Sequence, residues 1–200
     1  DQGDFDRLGS VIVDLGNNFA TTEDRVVDFG LRIAGAGEIA GLTEGQILAI
    51  GAAMSSVGVE AEAGGTAVQK VLLGITEAVN TGSEKLDVFA ATAGMSAQEF
   101  AAAWQADAGA AFTRFVEGLG EAGQDAFVIL DELDLTDQRL IRSFLSLAGA
   151  GDLLREAIDR QAVAWEENNA LQTEAERRYE TTASQLALLR NVMMDLAITA

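Results

Sequence analysis

Apolar positions along the first three quarters of the chain recur at helical spacing, and each run is preceded by a capping residue. Thr21-Thr22-Glu23-Asp24 stands before Val26, Val27, Phe29, Leu31 and Ile33. Thr43-Glu44-Gly45-Gln46 has the spacing of a capping box, with Leu42 placed as a staple residue. Ser83 precedes Leu86, Val88 and Phe89, and Ser96-Ala97-Gln98-Glu99 forms a second capping box after Gly94-Met95. Thr136-Asp137 opens a segment with Leu140, Ile141, Phe144, Leu145 and Leu147 on one face. Gly58, Gly82, Gly94, Gly123 and Gly149 each follow an apolar run and mark helix stops. No segment alternates as a strand does. The run Phe127-Val128-Ile129-Leu130 has strand-like composition, but its neighbours place it in a helix. The fold class predicted is all-α.

Glycine divides the chain. All 21 glycines lie at or before Gly151. Residues 1–151 read as a compact Gly/Ala-rich helical region, and residues 152–200 as one long helix. Some glycines fall inside helical patterns, where each costs roughly 1 kcal/mol relative to alanine. Gly30, Gly51 and Gly74, with Gly64 and Gly65 at the head of another run, are expected to let helix axes approach closely.

The second region carries a seven-residue repeat. Ile158, Trp165, Gln172, Tyr179, Leu186 and Met193 occupy one heptad position; Gln161, Asn168, Ala175, Thr182, Leu189 and Leu196 follow three residues later. A strict heptad implies supercoiling against a partner helix, and its polar middle would set register. As one helix the region spans roughly 70 Å at about 1.5 Å per residue, so it is expected to project and to join copies of the chain. The alternative is a helical hairpin broken near Asn168-Asn169.

Composition narrows the chemistry. The 200 residues include no Pro, His or Cys, and aromatics make up only 6%. The core must come from Ala, Val, Leu and Ile in uninterrupted helices. Thiolate metal sites, disulfides and every Ser-His or Cys-His arrangement are excluded, whereas a Ser-Lys or paired-carboxylate enzyme is not. Thirteen basic against 32 acidic residues give a net charge of −19, and no basic run exceeds Arg177-Arg178. Such a chain is repelled by nucleic acid and anionic lipid, so no direct nucleic-acid binding is expected. The opening DQGDFDRLGS has neither an apolar signal core nor an initiator Met, and reads as part of a longer protein. No window approaches 18 consecutive apolar residues, so the chain reads as soluble.

Three stretches invite a chemical reading. Residues 58–73, GVEAEAGGTAVQKVLL, place glycines and Lys70 before an apolar run. A phosphate loop needs its lysine beside a glycine and followed by a hydroxyl, after a buried strand. Lys70 instead shares a helix with Val68, Val71, Leu72 and Ile75. The acidic stretch Asp131–Asp137 lacks the glycine turn of a calcium loop and reads as solvated. Trp104 and Trp165 read as core or interhelical residues. No catalytic, cofactor or metal residue is expected. The Ala-rich helices could enter a membrane under a trigger, although the acidic charge opposes simple adsorption.

The ordered segments carry a resemblance. Leu15-Gly16-Asn17-Asn18-Phe19-Ala20-Thr21-Thr22-Glu23, Arg32-Ile33-Ala34-Gly35 and Glu62-Ala63-Gly64-Gly65-Thr66-Ala67 resemble the core region of phage tail tape measure proteins. So do Ala93-Gly94-Met95-Ser96-Ala97-Gln98-Glu99-Phe100 with Trp104, Phe115-Val116-Glu117-Gly118-Leu119 and Leu147-Ala148-Gly149. Leu153-Leu154-Arg155-Glu156-Ala157 and Tyr179-Glu180-Thr181-Thr182-Ala183-Ser184-Gln185-Leu186 complete the run, which covers nearly the whole chain in order. The resemblance implies a structural, non-enzymatic segment inside the tail tube. It would template tail length and assembly and leave during genome delivery. Its implied partners are other copies of itself, tail tube and tail-tip proteins, and the host membrane at infection. Its implied location is the virion tail interior, after the host cytoplasm during assembly. The alternatives are a membrane-perturbing or channel-forming element and a helical scaffold or interaction module.

Overall fold

A computed structural model describes residues 2–179 of the chain. Ten α-helices follow one another: α1 Gln2–Asn18, α2 Glu23–Ala40, α3 Glu44–Ser56, α4 Ala61–Thr81, α5 Glu84–Thr92, α6 Ala97–Ala106, α7 Ala108–Glu121, α8 Ala126–Glu132, α9 Gln138–Ala148 and α10 Gly151–Glu167. A single 3₁₀ turn, Gly123–Asp125, precedes α8. Residues 170–179 form a further helical segment, called the arm below. There is no strand among the described residues, so the protein is all-α.

The centre is α3. Every residue from Gly45 to Ser55 is buried, which suits a helix that is apolar and small-sided all round. It is enclosed mainly by α2 and α10, with α1, α4 and α9 also in contact. A second layer gathers aromatic rings from α5, α6, α7 and α9. Phe89 and Phe115 meet edge to face at 5.1 Å, Phe112 and Phe144 at 6.1 Å, and Trp104 lies 6.3 Å from Phe100. Pairs in these geometries contribute about 0.5–1.5 kcal/mol each beyond the area they bury.

The helix boundaries follow local chemistry. Both expected capping boxes form: Thr43 accepts from the Gln46 N–H while the Gln46 side chain accepts from the Thr43 N–H, and Ser96 and Glu99 do the same. Thr22 and Ser83 stand at N-cap positions without a side-chain cap bond. Asp137 caps α9 by accepting from Arg139 and Leu140. Gly58, Gly82, Gly94 and Gly123 take positive φ, whereas Gly149 remains right-handed. Phe127–Leu130 lies in α8, as its neighbours required.

The C-terminal region differs from the expectation. α10 does not project; Leu154, Ala157, Ile158, Gln161 and Ala164 are buried, and α10 packs on α3, α1 and α7. The change in glycine content at residue 151 is therefore not a border of the core. Nor is the helix continuous. It stops at Glu167, and Asn168 takes a left-handed conformation, φ 47° and ψ 39°. Asn is the residue after Gly that most readily fills this capping position. The break falls where the hairpin alternative put it. Thr182, Leu186, Leu189, Met193 and Leu196 lie outside the described residues.

Candidate functional site

The heptad positions and the interior glycines were the residues singled out by sequence, and the structure sorts both sets. Ile158 and Gln161 face the core. Trp165 is half-buried, with the Arg7 guanidinium 5.9 Å from its ring centroid. Asn168, Gln172 and Tyr179 are exposed, and Ala175 is half-buried. The described heptad is thus two faces: an inner one used by this chain's own core, and an outer one beyond the break.

The glycines are likewise divided. Gly30 and Gly51 lie where α2 crosses α3. A Cβ on Gly51 would stand 2.8 Å from the Phe29 Cβ and 3.1 Å from the Val26 carbonyl oxygen; one on Gly30 would stand 2.9 Å from Leu48 Cδ2. Gly64 would meet Met54, Val59 and Phe29 within 2.8 Å, and Gly65 would meet the Arg32 Cβ at 3.2 Å. Gly74 has only an ordinary contact, 3.6 Å to the Phe89 ring. Tighter approaches were missed: a Cβ on Gly118 would run into the Thr92 carbonyl, on Gly120 into the Ala148 carbonyl, on Gly45 into Gln161 and on Gly109 into Gln46. The available signal was a glycine within a helical run, which says nothing of what lies opposite.

A polar chain links the inner helices. Gln46 donates to Asp107 Oδ1 at 2.8 Å, and the same oxygen caps α7 by accepting from the Ala110 N–H at 3.0 Å. Gln161 of α10 packs against Gly45. The buried Gln46 amide fixes register between α3 and α7, because a shift would leave it unpaired.

The arm is held differently. Ser10, almost fully buried on α1, donates to Asn168 Oδ1 at 3.1 Å and accepts from the Leu171 N–H at 3.5 Å. It thus acts as a cap supplied from another helix. Leu171 settles over Gly9, and Arg178 reaches Glu23 at 4.0 Å, so the arm returns along α1. Asp14 holds α10 nearby through Arg160, at 2.7 and 3.3 Å. Between α1, α10 and the arm lies an open groove of about 640 Å³, whose lining includes Asp152, Glu156 and Asp159 together with Arg155 and Arg160.

Local bonds hold several carboxyls as anions. The Ser96 N–H and hydroxyl hold the Glu99 carboxyl below its ordinary range. The Arg139 and Leu140 N–H groups do so for Asp137, and Arg178 does so for Glu174. Lowered carboxyl pKa values favour fixed anions over proton carriers. Glu117 pairs one oxygen with Arg155, while its other oxygen is buried without a partner. Among the described residues no cluster of three or more acidic side chains is placed to hold a metal ion, and no helix is long and apolar enough to cross a membrane. Comparison with protein families, curated proteins and solved structures finds no match to this chain.

Proposed function

We propose that the chain is a folded, non-enzymatic helical module of a phage tail tape measure protein. In this reading it occupies the tail tube beside other copies, takes part in tail assembly and length control, and leaves as the genome is delivered. Its partners are further copies of the chain and the tail tube and tail-tip proteins.

One observation carries the reading. Five of the segments that resemble the family lie at joints of the fold, while Arg32–Gly35 and Leu153–Ala157 lie within α2 and α10. Leu15–Glu23 is the α1–α2 elbow, where Thr21 and Ser55 hydroxyls lie 2.6 Å apart. Glu62–Ala67 opens α4 at its tight approach to α2. Ala93–Phe100 is the glycine turn and capping box before α6. Phe115–Leu119 holds Gly118 against the end of α5, and Leu147–Gly149 brings the Ala148 carbonyl to Gly120. The net charge of −19 supports a protein that shares a compartment with DNA without binding it.

Deleting residues 2–179 in frame from the parent gene tests this. A packed body of this size is about 40 Å across, whereas the same chain as one continuous helix would measure nearly 270 Å. The folded module predicts tails shortened by no more than about 40 Å, with defective assembly or delivery. Shortening on the order of 270 Å would mean a stretched ruler instead of a folded module. Normal tails with normal infection would overturn the tail role.

A second reading, a helical interaction module, is favoured by the outer face of α2. Leu31 and Ile39, 75% and 65% exposed, flank Gly35, which has open space above it. Binding of tail components by the isolated chain separates this reading from a purely space-filling role.

A further inference from the structure

We infer that the pocket where the first turn of α3 meets α10 is a binding site for a guanidinium group. The inference stands whether or not the protein belongs to a tail.

One buried amide points to a ligand. Gln161 is only 8% exposed, and its side chain has no hydrogen-bond partner among the described residues. A buried amide without a partner costs stability that an apolar side chain of similar size would not. The neighbouring buried amide, Gln46, uses both its ends: the oxygen accepts from the Thr43 N–H and the nitrogen donates to Asp107. Gln161 instead lies over Gly45, where any Cβ would run into its Oε1, and it lines a pocket of about 300 Å³. Glycine at position 45 is what leaves room for the amide there.

The rest of the lining selects the charge of the occupant. Glu44, on the first turn of α3, and Glu166, on the last turn of α10, both border the pocket and are exposed. Neither carboxylate has an ion-pair or hydrogen-bond partner among the described residues. A helix N-terminus by itself favours an anion. Here the Thr43–Gln46 capping box already closes that end of α3, and the two carboxylates repel a further negative charge. The occupant is therefore a cation.

Trp165 selects its shape. The half-buried indole lines the same pocket, and it already takes one guanidinium: Arg7, which is outside the pocket lining, lies 5.9 Å from the ring centroid. A second guanidinium in the pocket can set its flat face on the indole, aim its fork of N–H donors at a carboxylate and donate to the Gln161 Oε1. An ammonium offers neither the flat face nor the fork. The group can come from an arginine side chain of a partner protein or from a small free guanidine compound, and the net charge of −19 attracts both.

The test is a titration of the full, isotope-labelled chain at constant ionic strength, followed by NMR at the Trp165 indole N–H and the Gln161 side-chain amide. The probes are methylguanidinium, a short end-blocked neutral peptide with one arginine, and the same peptide with lysine. The expected result is saturable shifts at both residues with the two guanidinium probes and clearly weaker binding of the lysine peptide. Gln161→Leu should weaken binding about tenfold. Glu166→Gln, an exposed change that leaves the core untouched, should weaken it roughly fivefold. Tighter binding of the arginine peptide than of methylguanidinium assigns the group to a partner's side chain; equal binding assigns it to a small free cation. No saturable shift with either guanidinium probe would mean that water alone serves Gln161, and would overturn the inference. So would a lysine peptide that binds equally well, or affinities unchanged in both variants.

Discussion

The crossing of α2, α3 and α4 and the arm at residues 170–179 are held by different means. At the crossing, Gly51 sets α3 against the backbone of α2 at Val26 and Gly30, a methyl on Gly30 or Gly64 would press on the side chains of Leu48 or of Met54, Val59 and Phe29, and Phe29, Ile33, Ile50 and Met54 fill what remains. Shape alone selects that arrangement. At the arm, no side chain is fully buried, and its contacts include the buried Ser10, Leu171 over Gly9 and Arg178 beside Glu23. Close packing tolerates almost no adjustment, whereas a few polar contacts can be exchanged for water at small cost. The crossing is held by shape, and the arm by a few polar contacts and one leucine.

The largest effect expected from this contrast is at the crossing. Gly51→Val should destabilise the protein by about 3 kcal/mol or more, read as a lower midpoint in urea unfolding, because the added side chain meets the Val26 backbone as well as Phe29. A loss below 1 kcal/mol would show that α2 and α3 can separate, and the contrast would fail. Ser10→Ala should cost about 1 kcal/mol, confined to the arm. Amide exchange over residues 170–179 should speed up while α3 is unchanged. If α3 loosens as well, the arm belongs to the cooperative core. Gly74→Ala sharpens the steric argument from the other side. Its Cβ would make only the 3.6 Å contact with Phe89, so alanine should raise stability by up to about 1 kcal/mol. Destabilisation there would mean that α4 and α5 lie closer than described.

The smallest effect concerns pH. Bonds from Ser96 hold the folded Glu99 carboxyl below the ordinary 4.5. A folded value below the unfolded one means the contribution is present above the unfolded value and is lost as pH falls through the folded value. Thermal unfolding followed from neutral pH to well below 4.5 should show a shallower acid loss in Glu99→Gln. Equal slopes would show that the capping box around Ser96 adds nothing in solution.

Local rules made the first 150 residues legible. Thr43-x-x-Gln46 and Ser96-x-x-Glu99 announced helix starts because capping is settled within four residues. Asp107, which caps α7 and joins it to Gln46, carried no such pattern; its role depends on a residue far away in sequence. The same holds for Gly118 and Gly120, whose neighbours come from α5 and α9. Gly74 resembled the packing glycines in sequence and differs only in what faces it.

The end of the chain was hardest to read, for a physical reason. Ile158 and Gln161 satisfy a heptad, and they equally satisfy the inward stripe of an amphipathic helix docked on a globular core. Periodicity over two turns cannot separate a partner helix in another copy from α3 in the same one. The break at Asn168 had only a weak local signal, and the serine that secures it lies 158 residues away. The chemistry of the outer surface, with its charged groove beside α10 and the aliphatic ridge on α2, was invisible because sequence does not say which helix faces remain uncovered.

Native-state hydrogen exchange on the whole chain tests the central contrast most directly. The account predicts that amides of α2, α3 and α4 exchange only through global unfolding, while those of residues 171–179 exchange far faster, through a local opening that leaves the body protected. A single exchange class covering α3 and the arm alike would contradict it, since the arm would then be as firmly part of the fold as the glycine crossing.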